Sequence, residues 1–229
     1  MTSPNRAYLT RVVRRLGPLA DAFVFVGGQV AELLITDPAA VRVRATDDVD
    51  VICTVRSRSD YQALGDQLRA IGFREDTREG APICRWVLEG DVLDVMPADP
   101  TILNMPAGWF THAVRSAVLY VLEEGLSIRI PSAPAFLATK WEALQDRDED
   151  WRWSRHAEDI VKIVAGRPEL LGEVRIADPD IVAYLCARAR QLLASGDADD
   201  VVAAALPDAG QVPNLIEQVK DRFVALSEV

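Results

Sequence analysis

The spacing of apolar and polar residues predicts that strands and helices alternate in the first part of the chain. Short apolar runs or strict apolar alternation predict five strands, over residues 22–26, 49–55, 83–88, 92–96 and 126–130. Glu89-Gly90-Asp91 separates the third and fourth of these strands and is typical of a hairpin turn. The sheet is therefore expected to contain at least one antiparallel pair.

Apolar residues three and four positions apart predict helices along the whole chain. The first helix places Leu9, Val12, Val13 and Leu16 on one stripe and arginines on the opposite face. The helices are predicted over residues 6–16, 29–34, 59–70, 135–144, 156–164, 180–194, 199–205 and 212–226. No strand pattern follows Leu171, so we expect a mixed α/β region over 1–130 and a helical region over 131–229.

The composition is that of a globular protein with an ordinary hydrophobic core. Apolar residues make up 49% of the 229 positions, which is enough to bury a core without disulfide bonds. Cys53, Cys84 and Cys186 are an odd set without a CxxC pair, which argues against a disulfide framework and against a zinc site. The sequence shows no signal peptide and no apolar run of membrane-spanning length, so we expect a cytoplasmic protein with no membrane partner.

The formal net charge of −10 argues against a protein that coats or slides along DNA. A local basic patch is still compatible with this charge. Arg11, Arg14 and Arg15 cluster in the first helix, and Arg42 and Arg44 precede an acidic run.

The acidic run at residues 47–50 is the strongest candidate for chemistry. Asp48 and Asp50 are two positions apart on a predicted strand, so their side chains point to the same face. Asp47 points to the other face and is not expected to be a ligand. Two neighbouring carboxylates repel unless a cation lies between them, and their hard oxygens favour Mg²⁺ or Mn²⁺. Alone, such a pair is more often a solvated strand end than a metal site.

Two further features strengthen the metal hypothesis. Asp94 lies within another predicted strand, between apolar neighbours, and joins Asp48 and Asp50 if the two strands are adjacent. Gly27-Gly28 stands between a predicted strand and a predicted helix, where glycines allow a ligand to approach the backbone closely. The run matches neither GxGxxG nor GxxxxGK[ST], so it predicts neither a Rossmann nor a P-loop site.

Along the chain, a strand is followed by Gly27-Gly28, a helix, a strand with Asp48 and Asp50, and a later strand with Asp94. This order resembles that of the polymerase-beta-type nucleotidyltransferase superfamily. The closer resemblance is to the nucleotidyltransferase toxins of abortive-infection toxin–antitoxin systems. Their motif is Arg-x-[Ser/Thr]-x-Asp-h-Asp-h, where h is an apolar residue. It is matched here by Arg44, Thr46, Asp48, Val49, Asp50 and Val51. Residues 134–143, which include Lys140 and are followed by Arg147, are similar to that branch's lysine-bearing helix. Residues 154–160, with Glu158 and Asp159, resemble a further acidic motif of the branch.

The resemblance implies an α/β (α+β) fold, in which a small mixed sheet is flanked by helices and followed by a helical C-terminal half. It also implies the role of each site residue. Asp48, Asp50 and Asp94 would hold two Mg²⁺ (or Mn²⁺) ions, and Gly27 and Gly28 would hold the phosphates of an NTP. Lys140 would neutralise the triphosphate, and Arg44 and Thr46 would contact phosphate or brace the acidic loop. The segment 35–43 is longer than in the minimal family pattern and looks like an insertion.

Several functions remain open at this point. The resemblance implies an enzyme of the EC 2.7.7 type that transfers an NMP to tRNA or to a protein hydroxyl, with an antitoxin protein as partner. An antibiotic-type enzyme with a cationic small-molecule acceptor is the rival within this class, and the net acidity favours it. Outside this class, the sequence is compatible with a non-catalytic nucleotide- or metal-binding module and with a metal-dependent nuclease or phosphohydrolase. The roles of Glu158, Asp159 and His156 are left open; His156 begins a predicted helix, which favours a capping or surface role.

Overall fold

The computed structural model describes residues 3–37, 39–40, 43–146, 150–207 and 214–229. The sequence hypotheses about Arg42 and Arg147, and the predicted start of the last helix at residue 212, lie outside these residues.

Seven strands are found in the described part of the chain. They are β1 (Phe23–Val26), β2 (Val49–Cys53), β3 (Arg74–Glu75), β4 (Arg85–Leu88), β5 (Asp91–Pro97), β6 (Val118–Glu123) and β7 (Leu126–Ile130). The helices are α1 (Pro4–Leu16), α2 (Gly28–Leu34), α3 (Arg58–Ala70), α4 (Pro100–Leu103), α5 (Phe110–Arg115), α6 (Ala133–Gln145), α7 (Arg155–Gly166), α8 (Leu170–Arg175), α9 (Pro179–Ala194), α10 (Ala198–Ala205) and α11 (Leu215–Ser227).

Five of the strands form one mixed sheet in the order β1-β2-β5-β4-β3. Strands β2 and β5 are parallel, whereas the other neighbouring pairs are antiparallel. Strands β6 and β7 form a separate two-stranded sheet. The predicted fold class, a small mixed sheet flanked by helices and followed by further helices, is confirmed.

The turn between β4 and β5 has two residues, and both have a positive φ. Glu89 has φ 50° and Gly90 has φ 90°, as a two-residue hairpin turn of this twist requires. Leu88 consequently pairs with Asp91, and three pairs further along Arg85 pairs with Asp94. This register determines which side chain stands opposite Asp94.

One face of the main sheet is apolar at one end only. Val24 of β1 and Ile52 of β2 are paired and buried, and they pack in one cluster with Phe110 and Ala113 of α5. The next pairs towards the other end of β2, on the same face, include Asp50. Helix α5 therefore covers the apolar end of this face, and the acidic residues lie beyond the cluster.

Two of the observed strands were not predicted from the sequence. Strand β6 leaves Val118, Leu119 and Val121 more than half exposed, so its apolar residues follow no alternation that separates a buried from an exposed face. Strand β3 has only two residues, both exposed. Neither segment carries the periodic signal on which strand prediction depends.

By its contacts the described chain groups into two compact units. The first contains the described residues within 1–30 and 44–132, and the second contains the described residues within 31–43 and 133–229. The division into domains at 130/131 remains a prediction. The first unit holds both sheets, and the second holds helices α6 to α11.

The described residues of the segment predicted to be an insertion, which runs from 35 to 43, belong to the second unit. The amides of Thr36 and Asp37 both donate to the carbonyl of Gly166, each at 3.0 Å. A Cβ on Gly166 would meet Ile35 Cγ2 at 2.8 Å and Ala40 Cβ at 2.9 Å. The described part of this segment is therefore anchored at the C-terminal end of α7.

None of the helices that the structure describes is long and apolar enough to cross a bilayer.

A buried carboxylate joins α1 to the start of β5. Asp91 is 1% exposed, and its oxygen Oδ1 accepts from Nε and Nη2 of Arg11 at 2.9 and 2.7 Å. Its other oxygen lies 3.0 Å from Nε of Arg15. Two arginines thus neutralise one carboxylate, and both keep contact with solvent.

We expect Asp91→Asn to lower the free energy of unfolding by about 1–3 kcal/mol, because two guanidinium groups lose their shared buried partner. Glu123→Gln is the matched control, since Glu123 binds Arg14 of the same helix in an exposed pair and its loss costs less than about 1 kcal/mol. Urea unfolding of both variants measures the difference. Equal losses would show that Asp91 is no more than a surface partner.

Candidate functional site

The three predicted aspartates lie on or next to the two parallel strands at the centre of the main sheet. Asp50 of β2 and Asp94 of β5 are direct partners in the register, so their side chains share a face. Asp48 stands one residue before β2. Asp94 is buried, whereas the Asp48 side chain is 38% exposed. The adjacency of the strands, which the sequence could state only as a condition, is present.

Arg85 is a cation that binds two of these three carboxylates. Its Nε donates to Asp94 Oδ1 at 2.8 Å, and its Nη2 donates to Asp94 Oδ2 at 2.7 Å. The same Nη2 also lies 3.1 Å from Asp48 Oδ2. The pKa of Arg85 is raised, chiefly by its hydrogen bond to Asp94. Arg85 was not predicted from the sequence, although a two-residue turn at 89–90 places it opposite Asp94.

The donor set fits a hard divalent cation. Asp48, Asp50 and Asp94 supply carboxylate oxygens, which Mg²⁺ and Mn²⁺ prefer. In the conformation described, these three residues do not place one oxygen each within 4.8 Å of one another. Arg85 bridges two of the three. The three carboxylates are therefore of the chemical type that binds such an ion. Two of them, Asp48 and Asp94, are hydrogen-bonded to the guanidinium of Arg85.

The predicted glycine pair lies directly against the acidic residues. Gly27 has φ +84°, and a Cβ at this position would lie 2.1 Å from Asp50 Oδ2. A Cβ on Gly28 would lie 2.6 Å from Cγ2 of Thr46. Both positions therefore exclude a side chain, because the space is taken by Asp50 and by the loop before β2. Contact of the glycines with phosphate stays a prediction.

Three side chains that were not predicted from the sequence hold the backbone of the acidic loop. Asn5, 3% exposed, donates from Nδ2 to the carbonyl of Arg44 at 2.8 Å and accepts from the amide of Thr46 at 3.1 Å. Gln29, 2% exposed, donates from Nε2 to the carbonyl of Asp48 at 2.7 Å. The loop is thus fixed by neutral groups that add no charge to the site.

Tyr8 is the third of these side chains. Its hydroxyl donates to the carbonyl of Asp47 at 3.0 Å and accepts from the amide of Val92 at 2.9 Å. Burial raises the pKa of Tyr8, so the phenol keeps its proton at neutral pH. The hydroxyl therefore joins the acidic loop to β5. No sequence motif marks Asn5, Tyr8 or Gln29, since each acts on main-chain atoms of a distant segment.

The side chain of Thr46 packs against Gly28, and its hydroxyl makes no hydrogen bond among the described residues. Its Oγ1 is buried and has no hydrogen-bond partner in the part of the chain that the structure describes. A buried hydroxyl without a partner costs free energy, so this atom is suited to contact a polar ligand group. Arg44, two residues earlier, places its Nη2 within 3.8 Å of the position of a Cβ on Gly28. Arg44, Thr46 and Gly28 are therefore neighbours.

The arginines of α1 do not form a free basic patch. Arg11 and Arg15 bind Asp91, and Arg15 also binds Glu89 at 3.0 Å. Arg14 binds Glu123 through Nε and Nη2. The three positive charges that the sequence left available for phosphates are each paired with a carboxylate.

Lys140 lies in the second unit and is buried. Its Nζ lies 2.7 Å from Oδ2 of Asp159, which is 0% exposed, and 5.2 Å from the centre of the Phe136 ring. Glu158, the neighbour of Asp159 in the chain, binds Lys162 instead. Lys140 and Asp159, which the resemblance connected with separate motifs, thus form one ion pair. The predicted contact of Lys140 with a triphosphate stays a prediction.

Comparison with known proteins supports the fold. No family model matches the chain, and no curated protein sequence matches it. The structure is similar to that of an antigenic nucleotidyltransferase-like protein from Paracoccidioides brasiliensis, with a TM-score of 0.50 and 18% identity over 87% of this chain and 92% of that one. It is also similar to JHP933 from Helicobacter pylori, with a TM-score of 0.48 and 14% identity over 100% and 94% of the two chains. The first likeness shows a nucleotidyltransferase-like fold.

We expect Gly27→Ala to lower the free energy of unfolding by about 2–4 kcal/mol, because its Cβ would overlap the Asp50 carboxylate and its φ is positive. The control is Gly80→Ala, where φ is +79° and a Cβ would meet nothing within 4 Å. That variant carries only the backbone strain of about 1 kcal/mol. Urea unfolding compares them, and equal losses would mean that Asp50 moves away freely.

Proposed function

We propose that the chain is a metal-dependent nucleotidyltransferase, which moves an NMP from an NTP to a hydroxyl acceptor. The observation that carries the proposal is the pairing of Asp50 with Asp94 on parallel strands, with Asp48 joined to Asp94 through Arg85 and Gly27 packed on Asp50. The fold likeness to a nucleotidyltransferase-like protein agrees with it.

In the proposed reaction the acceptor oxygen attacks the α-phosphorus of the NTP. The bond between the α-phosphorus and the oxygen that bridges to the β-phosphate breaks, and pyrophosphate leaves. A carboxylate oxygen of the site accepts the proton of the attacking hydroxyl. Bound Mg²⁺ or Mn²⁺ would be held by Asp48, Asp50 and Asp94 and would stabilise the charge that develops on the phosphate oxygens.

The loop contacts have a defined role in this proposal. Asn5, Tyr8 and Gln29 hold the main chain from Arg44 to Asp48, so the carboxylate of Asp48 starts from a fixed backbone. Phosphoryl transfer depends mainly on positioning and on charge stabilisation, so a fixed backbone is what such chemistry requires. The unpartnered hydroxyl of Thr46 is the polar atom next to this loop that we assign to a phosphate oxygen.

For the acceptor, two candidates are kept. The resemblance to abortive-infection toxins favours tRNA or a protein hydroxyl, with an antitoxin protein as partner. The pairing of Arg11, Arg14 and Arg15 with carboxylates, together with the net charge of −10, favours a cationic small molecule. Incubation with labelled NTPs, Mg²⁺ and either total tRNA or aminoglycosides separates the two. Absence of label transfer to either acceptor counts against both and favours a non-catalytic binding module.

We expect Asp48→Asn, Asp50→Asn and Asp94→Asn each to lower the rate of nucleotide transfer by on the order of a hundredfold or more, because each removes a charged oxygen ligand. Asp47→Asn is the matched control. Its side chain is exposed, and its main-chain carbonyl, which accepts from Tyr8, is unchanged. A loss in Asp47→Asn as large as in Asp48→Asn would contradict the register of the site.

The ion pair of Lys140 generates a separate prediction. Lys140→Met is expected to lower the free energy of unfolding by about 3–5 kcal/mol, because it leaves Asp159 charged and buried. Lys140→Met with Asp159→Leu replaces the pair by apolar side chains and should regain stability to within about 1 kcal/mol. Because Asp159 already neutralises Lys140, a double variant that regains transfer activity together with stability would contradict the predicted contact of Lys140 with a triphosphate. A stable but inactive double variant would favour the triphosphate contact.

A further inference from the structure

The side chain of Arg85 occupies the oxygens that a cation would need. Its Nε and Nη2 donate hydrogen bonds to the two oxygens of Asp94, and Nη2 also donates to one oxygen of Asp48. Three candidate ligand atoms are therefore hydrogen-bonded to one guanidinium. A guanidinium and a divalent cation both bind carboxylate oxygens by charge, so they compete for these atoms.

The carboxylate of Asp94 is better fixed than the arginine that binds it. Asp94 lies within β5, and its side chain is 9% exposed. Arg85 is the first residue of β4, and its side chain is 23% exposed. A long side chain that begins at a strand end and reaches solvent can leave without disturbing the sheet, whereas Asp94 cannot.

Another carboxylate lies within the electrostatic reach of Arg85. The pKa of Asp76 is lowered to about 2, mainly by its hydrogen bond to Arg78 and in smaller part by Arg85. The amide of Asp76 also donates to the main-chain carbonyl of Arg85 at 2.9 Å. The guanidinium therefore lies within electrostatic reach of a further negative charge besides those of the site.

We propose that Arg85 is a built-in counter-cation, which holds Asp48 and Asp94 together in the metal-free protein and is displaced from them when a divalent cation binds. This inference rests on the proposed function, because it takes Asp48 and Asp94 as the cation's ligands. Without Arg85 the clustered carboxylates repel one another, so the metal-free fold is weakened. With Arg85 the cation must first break three hydrogen bonds, so its affinity is lowered.

Removal of the Arg85 charge should raise the affinity for a divalent cation and lower the stability of the metal-free protein. Arg85→Gln removes the competing charge and keeps most of the stem. We expect it to raise the affinity for Mn²⁺ by about tenfold or more, because a positive charge next to the ion disappears. The same variant should unfold at lower urea concentration without metal and regain that loss when Mn²⁺ is added. Arg14→Gln is the matched control, since it removes the same charge from an ion pair with Glu123 in the same unit.

Mn²⁺ binding is measured by electron paramagnetic resonance of the free ion, with wild type, Arg85→Gln, Arg14→Gln and Asp94→Asn side by side. Tighter binding by Arg85→Gln alone supports the inference. Equal or weaker binding by Arg85→Gln, with Asp94→Asn still deficient, overturns the inference and leaves the metal site intact. Absence of binding in wild type and in Arg85→Gln overturns the inference and the metal site together.

A second measurement uses the unaltered protein, in case Arg85→Gln does not fold. The Nε–H resonance of Arg85 is followed by NMR during a titration with Mg²⁺, and that of Arg14 serves as the internal reference. Displacement predicts that the Arg85 resonance moves with the binding curve while the Arg14 resonance does not. An Arg85 resonance that is unchanged at saturating Mg²⁺ overturns the inference.

Discussion

Repulsion between carboxylates is the constraint on which the centre of the first unit depends. The parallel pairing of β2 and β5 places Asp50 beside Asp94, and Asp48 lies next to them at the start of β2. A sheet tolerates such a cluster only when positive charge compensates it. Arg85 supplies that charge from β4, the strand on the other side of β5. The sheet order β2-β5-β4 therefore brings together both the negative cluster and its counter-charge.

The main chain of the acidic loop is held by uncharged side chains. Asn5, Tyr8 and Gln29 hold the acidic loop by amide and hydroxyl groups, and the nearby glycines leave room for Asp50 and Thr46. Arg11, Arg14 and Arg15 of α1, although close to these residues in the chain, bind Asp91, Glu89 and Glu123. Arg85 binds two of the three carboxylates of the cluster, those of Asp48 and Asp94.

Much of this arrangement could be predicted from local pattern. Strand alternation placed Asp48 and Asp50 on one face, and the Glu89-Gly90 turn predicted the hairpin whose second strand bears Asp94. The adjacency of β2 and β5 could not be derived, because it depends on packing between segments about forty residues apart. Asn5 and Gln29 were missed because they bind main-chain atoms, which leave no trace in residue type. Lys140 differs from them, because its motif marked the residue in the sequence. Its ion-pair partner, Asp159, became known only from the structure.

The two-residue turn between β4 and β5 has a consequence for how the chain can change in length. Lengthening or shortening it by one residue would move β4 one step along β5, and every side chain of β4 would then point to the opposite face. Cys84 or Trp86 would stand opposite Asp94, and the guanidinium of Arg85 would be on the far side of the sheet. Insertions and deletions should therefore be absent from this turn in active relatives, even though it lies at the surface, where loops usually tolerate them.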